Sequence, residues 1–123
     1  MNKIHTENAP AAIGPYSQGY EVNGVVYTSG QLPVDPQTGA APEGITAQAE
    51  QSRKNVGAIL EAGGSGFEQV FKTLCFLADM KDFAAFNEVY AKYFTSNPAR
   101  SCVAVKELPK GVLCEIEAIA LKK

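Results

Sequence analysis

Apolar and polar positions alternate or recur along this chain in a way that divides it into strands and helices. Residues 20–23 (Tyr-Glu-Val-Asn) and 25–29 (Val-Val-Tyr-Thr-Ser) read as strands meeting at Asn23-Gly24. That dipeptide supplies the positive φ angles of a type I′ hairpin turn. Pro33, Pro36, Gly39, Pro42 and Gly44 then mark residues 32–44 as a surface loop. From Thr46 to Ala62, Ala49, Ser52, Val56, Ile59 and Leu60 recur at helical spacing, with Gly63 on the same face. Thr46 is the expected N-cap, and Gly63-Gly64 the expected stop. Residues 69–79, rich in aromatic and β-favouring types around Val70-Phe71-Lys72-Thr73-Leu74-Cys75-Phe76-Leu77-Ala78, read as a strand. Asp82 is expected to cap a helix over 83–94, whose apolar stripe is Phe83, Phe86, Val89, Tyr90, Tyr93 and Phe94. Strands over 101–106 and 112–121 follow, joined through Leu108-Pro109-Lys110-Gly111.

The order β-β-α-β-α-β-β, with room for a short strand before residue 10, predicts an α+β fold: a sheet of about six strands with two helices packed on one face. Two helices cover only that face. Yet the strand over 70–78 is apolar at nearly every position, and the last two strands carry apolar residues on both sides. Strands buried on both faces need a second cover. No further chain is left to supply it, so another subunit is expected there. The plainer alternative is a wider helix footprint over a half-wet sheet.

Composition narrows the function classes. A length of 123 residues, 46% hydrophobic, suits one domain over residues 1–123 with a real core. The net charge of −2 offers no basic field for nucleic acid or an anionic membrane. The apolar runs fall far short of the ~20 residues that span a bilayer, and Met1 to Thr6 lack the apolar core of a signal peptide. Cys75, Cys102 and Cys114 are odd in number, lie in apolar runs and form no C-x-x-C. They are expected to be reduced thiols of a cytoplasmic protein. His5 has no standard zinc-ligand spacing to these cysteines and reads as a surface residue. Neither a phosphate loop, a G-x-S-x-G elbow nor a dinucleotide fingerprint is present, and Gly63-Gly64-Ser65-Gly66 lacks the lysine of a P-loop.

The chemistry concentrates in the last quarter. Charges are costly in strands of this kind unless paired or hydrogen-bonded. Arg100 opens one strand, and Glu115 and Glu117 sit in the other among Val, Leu, Ile and Ala. Strand alternation puts Glu115 and Glu117 on one face, roughly 7 Å apart, with Leu113, Ile119 and Leu121; Cys114, Ile116 and Ala118 take the other. Arg100 and Cys102 share a face of their strand. If 101–106 and 112–121 paired as a hairpin, Arg100 would lie near the far end of the second strand, and would meet Glu115 only across a subunit boundary or through a ligand. Each residue also has an ordinary reading. Arg100 would be a strand-end ion pair, the glutamates a solvated face, and Cys102 a small buried hydrophobe. Tyr16 would be loop packing, Gly30 a plain turn and Asn87 a solvated helix residue.

These residues together resemble the Rid (YjgF) family of enamine/imine deaminases. The resemblance is carried by Asn8-Ala9-Pro10-Ala11-Ala12-Ile13-Gly14-Pro15-Tyr16-Ser17-Gln18-Gly19, Thr28-Ser29-Gly30-Gln31, Pro98-Ala99-Arg100-Ser101-Cys102-Val103, Leu108-Pro109 and Glu115-Ile116-Glu117-Ala118-Ile119-Ala120. It implies a chorismate-mutase-like fold, a homotrimer with sites between subunits, and hydrolytic deamination of 2-imino acids with neither cofactor nor metal. Such imines come from pyridoxal-phosphate-dependent dehydratases, a setting of metabolite damage control. It further implies that Arg100 binds the substrate carboxylate, that Tyr16 shapes the pocket and that Glu115 orients or activates water. The backbone at Gly30 and Cys102 would contact the reacting nitrogen or water, with Asn87 nearby. One departure bears on a pocket wall: Asn97 stands before Pro98, where many relatives carry an aromatic. The competing class is a non-catalytic small-anion or metabolite-binding regulatory module, which would keep Arg100 without needing Glu115.

Overall fold

A computed structural model describes every residue from Met1 to Lys123. Eight regular elements follow in order: β1 (Asn2–Ile4), β2 (Gly19–Val22), β3 (Val25–Thr28), α1 (Ile45–Ala62), β4 (Val70–Leu77), α2 (Phe83–Tyr93), β5 (Ala99–Ala104) and β6 (Cys114–Leu121). They build the expected α+β architecture, a mixed six-stranded sheet with strand order β1-β2-β3-β6-β4-β5. The β2–β3 hairpin turns at Asn23 and Gly24, both at positive φ (51° and 81°), as the Asn-Gly pair requires. β1 is the short early strand and pairs with β2.

The main departure from the sequence reading is at the C-terminus. β5 and β6 do not form a hairpin. β5 lies at the sheet edge, parallel to β4, while β6 inserts between β3 and β4, antiparallel to both. α2 is the crossover that a parallel β4–β5 pair demands. Burial decides which strand takes the centre. Cys114, Ile116, Ala118 and Ala120 on one face of β6 are all buried, whereas β5 carries exposed Ala99, Ser101, Val103 and Ala104.

The helix starts differ as well. α1 begins one residue before Thr46, after Gly44 at φ 85° and ψ 160°, without a side-chain cap. Those angles are open essentially to glycine alone, so backbone conformation starts this helix where a threonine hydroxyl was expected to. Asp82 does precede α2, but its side chain makes no capping bond. Asp79 caps the preceding short turn instead, accepting from the Lys81 N–H.

Both helices pack on one face. Val56, Ile59 and Leu60 of α1 join Phe86 and Val89 of α2 over Val26, Val70, Cys75, Leu77 and the buried row of β6. Burying such apolar side chains contributes about 1.5–3 kcal/mol each before entropy is counted. Buried polar side chains fasten the loops to this core. Asn55 donates to the carbonyls of Leu32 and Val34, and Gln48 donates to Pro42 O while accepting from the Leu113 N–H. The second bond fixes the entry to β6. No helix covers the opposite face, where Tyr27, Phe71, Val103 and Leu121 remain 43–49% exposed beside half-buried Leu74, Phe76 and Ile119. Neither helix is long and apolar enough to cross a membrane.

Candidate active site

Arg100 is the second residue of β5 and lies in register with Thr73 of β4, which turns it toward the helices. Three residues of α2 at spacings of four and three, Phe83, Asn87 and Tyr90, meet it there, because such positions share one helix face. Asn87 Oδ1 accepts from Arg100 Nη1 at 2.7 Å. The Tyr90 ring lies 4.7 Å and the Phe83 ring 5.5 Å from the guanidinium carbon, a cation–π platform. The Tyr90 hydroxyl is in turn 2.7 Å from Thr73 Oγ1. A loop of contacts thus runs from β4 through the tyrosine to the guanidinium and back to the neighbouring strand. Its half-burial and two ring faces hold the cation in place, yet no carboxylate of the chain pairs with it; the two salt bridges of the molecule are Arg53–Glu50 and Lys123–Glu68. A guanidinium has five N–H donors, and only one is engaged here. Arg100 lines a groove of about 300 Å³ together with Asn87, Tyr90, Ala91, Phe94, Asn97 and Pro98. Asn97 contributes to this wall from a left-handed conformation, φ 52°, which asparagine tolerates better than most residues.

Glu115 belongs to a second cluster. It lies on β6 opposite Phe76, on the face the helices leave open. Its carboxyl group rests directly over Gly30. Gln31 exchanges both backbone hydrogen bonds with Ile116 (2.7 and 3.2 Å), which clamps the Gly30 segment beside Glu115. A Cβ at position 30 would come 2.7 Å from Glu115 Cδ and closer still to Oε2, so this contact requires glycine. Burial raises the Glu115 carboxyl above its ordinary range, with the charge of Glu117 adding to it; burial raises Glu117 also. A carboxyl raised in this way without an ion-pair partner holds its proton more readily than an exposed one, which suits a proton-carrying role. Gly30→Ala is expected to push the carboxyl out toward water, lowering its pKa toward the ordinary value, and to cost about 1–3 kcal/mol through overpacking. A carboxyl-carbon NMR titration reads the first effect. An unchanged Glu115 titration would mean that the backbone, and not the carboxyl, gives way.

Of the residues singled out from sequence, the fold therefore brings Arg100 to Asn87, with half-buried Cys102 two positions along on the same face, and brings Glu115 to Gly30. The two pairs lie on opposite faces of the sheet. Tyr16 joins neither. It is exposed, precedes β2, and stands four strands away from β5 in the sheet order, roughly 19 Å at the usual strand spacing. Tyr90 and Thr73 escaped the sequence reading. Tyr90 sits one helical turn beyond Asn87, but its apolar neighbours made it read as part of the core stripe. A concavity of about 1070 Å³ along the outer side of α1 holds none of these residues.

Comparison with known proteins adds to this geometry. Residues 6–122 match the family described as endoribonuclease L-PSP. The chain is 54% identical to the 2-iminobutanoate/2-iminopropanoate deaminase of Salmonella typhimurium, over 98% of this chain and 97% of that one. Among solved structures, Escherichia coli TdcF with bound serine superposes with a TM-score of 0.96 at 46% identity, covering 100% of both chains. The YjgF gene product of the same species superposes with a TM-score of 0.95 at 50% identity, again over 100% of each.

Proposed function

The chain belongs to the endoribonuclease L-PSP family, and from its likeness to the Salmonella deaminase we propose that it is a cytoplasmic deaminase that hydrolyses reactive 2-imino acids and their enamine tautomers to 2-keto acids and ammonia. The observation that carries this reading is Arg100: a guanidinium held by Asn87 and two aromatic rings, lining a groove, with no carboxylate of its own. A carboxylate-bearing substrate supplies the missing partner through a two-pronged contact. Water then adds to the C=N carbon, the nitrogen takes up a proton, and the adduct expels ammonia as the carbonyl forms. Imines of this kind hydrolyse unaided, so the protein's task is to orient substrate and water and to handle protons. Glu115 has the raised carboxyl for that task. The backbone at Gly30 and at Cys102, on opposite faces of one chain and brought together between subunits, would contact the reacting nitrogen or water. A small imino acid suits the acidic chain, net charge −2, better than RNA does, since a nuclease surface of this size would be expected to carry a basic stripe.

The site draws on more than one copy. Arg100 and Glu115 lie on opposite faces, and Tyr16 sits four strands from Arg100, so the pocket forms where subunits of a homotrimer meet and a neighbour contributes the tyrosine. The same assembly covers the open sheet face, whose apolar residues are otherwise left to water. Ile119, half-exposed on that face between Glu117 and Leu121, tests this. Ile119→Lys is expected to leave the helix-side core intact and to convert a trimer into monomers by sedimentation equilibrium; a monomeric wild type would end the reading.

The function itself is tested by following ammonia and keto-acid release from freshly generated 2-aminoacrylate and 2-aminocrotonate. Acceleration above the spontaneous rate is the expected result. Binding of 2-keto acids without acceleration would instead identify a small-anion-binding regulatory module.

A further inference from the structure

Cys75 lies in the middle of β4 and Cys102 in the middle of β5, and the parallel register sets them directly opposite one another. Adjacent strands run about 4.8 Å apart. That falls within the roughly 4.4–6.8 Å between Cα atoms that a disulfide spans. Opposed residues share a face, so both sulfurs point to the same side, close enough that each thiol shifts the titration of the other. Both are free thiols. Their surroundings differ in a useful way. Cys75 is fully buried, whereas Cys102 is partly open on the edge strand, two residues from Arg100 on the same face. The neighbouring Cys75 thiol, helped by the Arg100 charge and opposed by burial, brings the Cys102 thiol down to about 7. The same pairing, together with burial, pushes Cys75 up. Cys114 shares none of this: it is buried, its polar neighbour is the Ser52 hydroxyl at 3.7 Å, and burial pushes it up to about 12.

We propose that Cys102 and Cys75 form a reversible thiol pair that a hydroperoxide closes into a cross-strand disulfide between β5 and β4. The partly exposed Cys102 thiolate attacks the peroxide, the O–O bond breaks, and the leaving oxygen departs as water or alcohol after taking a proton. Cys102 becomes a sulfenic acid. The Cys75 sulfur then displaces the sulfenic oxygen, which leaves as water with the Cys75 proton. Two thiols lose two electrons and two protons, and the peroxide is reduced by the same two electrons. The second step is assisted by the first. Once Cys102 is no longer a thiolate, the negative charge that held the Cys75 proton is gone, and only burial still opposes its release. A buried resolving thiol in direct register captures the sulfenic acid before a second peroxide drives it to the irreversible sulfinic state. A bridge with one sulfur on the partly exposed edge strand remains open to reduction by a dithiol.

The reading does not depend on the deaminase assignment, because its test is a mass. Purified full-length protein is treated with hydrogen peroxide and then digested with trypsin without reductant. Peptides 73–81 and 101–106, which carry Cys75 and Cys102, are expected to appear joined and lighter by two hydrogens, and to separate again with dithiothreitol. Cys114→Ser should leave the cross-link unchanged. Cys75→Ser should abolish it and leave Cys102 with one or more added oxygens, the first trappable by dimedone. Three wild-type outcomes overturn the proposal whatever the variants do: oxygen accumulating on Cys102 without the joined peptides, a cross-link between two chains, or both thiols surviving peroxide that oxidises a free-thiol control.

Discussion

Replacing Arg100 with alanine is expected to reduce kcat/KM for imino-acid deamination by roughly 10²–10⁴-fold while leaving the protein folded. The size follows from the contact the side chain would make. A two-pronged guanidinium–carboxylate pair contributes two charge-assisted hydrogen bonds of about 1.5–3 kcal/mol each. Each tenfold change corresponds to about 1.4 kcal/mol. Folding is spared because Arg100 lies on an edge strand, half-buried, and its polar partner Asn87 can turn to water. Arg100→Lys discriminates further. It keeps the charge but loses the fork, and it is expected to recover only a part of the activity. Circular dichroism and sedimentation establish that the variants are folded and assembled; steady-state kinetics on freshly generated 2-aminocrotonate read the effect. Wild-type kinetics in folded Arg100→Ala would remove the arginine from substrate binding and leave its aromatic cradle as a packing feature alone.

The parts of this fold legible in the sequence are those set by local chemistry. Asn23-Gly24 specifies its turn through positive φ angles, and the helical stripe of α1 specifies its buried face, because both signals lie within a few residues. The face alternation of β6 held for the same reason: Glu115, Glu117, Ile119 and Leu121 take one side and the buried row the other. Strand pairing is not local. Pro109 and Gly111 between two apolar runs read as a hairpin, but Leu108 to Gly111 form a tight turn with Lys110 and Gly111 at positive φ (61° and 65°), and β6 continues away to pair with β3 and β4. What favours that pairing is burial of β6 at the sheet centre, which no window of the sequence contains. The candidate site divides along the same line. Arg100 and Asn87 are 13 residues apart, and only the β4–α2–β5 crossover brings them together. Tyr90 was hidden because a ring that stacks on a cation and a ring that fills a core occupy the same position in a periodic pattern. Gly30 carried its signal in the motif Thr28-Ser29-Gly30-Gln31, but that its missing Cβ makes room for the Glu115 carboxyl is a fact of tertiary structure.

Replacing Glu115 with glutamine should move activity and stability in opposite directions. Turnover is expected to fall by about 10²–10⁴-fold, the usual contribution of a positioned acid–base group, with a much smaller change in KM because carboxylate binding rests on Arg100. Stability is expected to rise at neutral pH. Burial, and behind it the Glu117 charge, raises the Glu115 pKa in the folded protein, so the native state binds this proton more tightly than the unfolded chain does. The stability penalty is therefore absent below the unfolded value of about 4.3 and grows as pH rises through the raised folded value. Glutamine cannot ionise and escapes it. The midpoint of thermal unfolding should then depend less steeply on pH in Glu115→Gln than in the wild type from about pH 4 upward, and lie higher at pH 7. Glu117→Gln separates the two effects. Its carboxyl is also raised by burial, so it too should flatten the stability profile, but it does not pack on Gly30 and should keep most of the turnover. Equal loss of turnover in both variants would point to a general electrostatic effect of the open face. Unchanged turnover in Glu115→Gln, with the stability shift present, would leave its carboxyl raised by burial yet idle in catalysis.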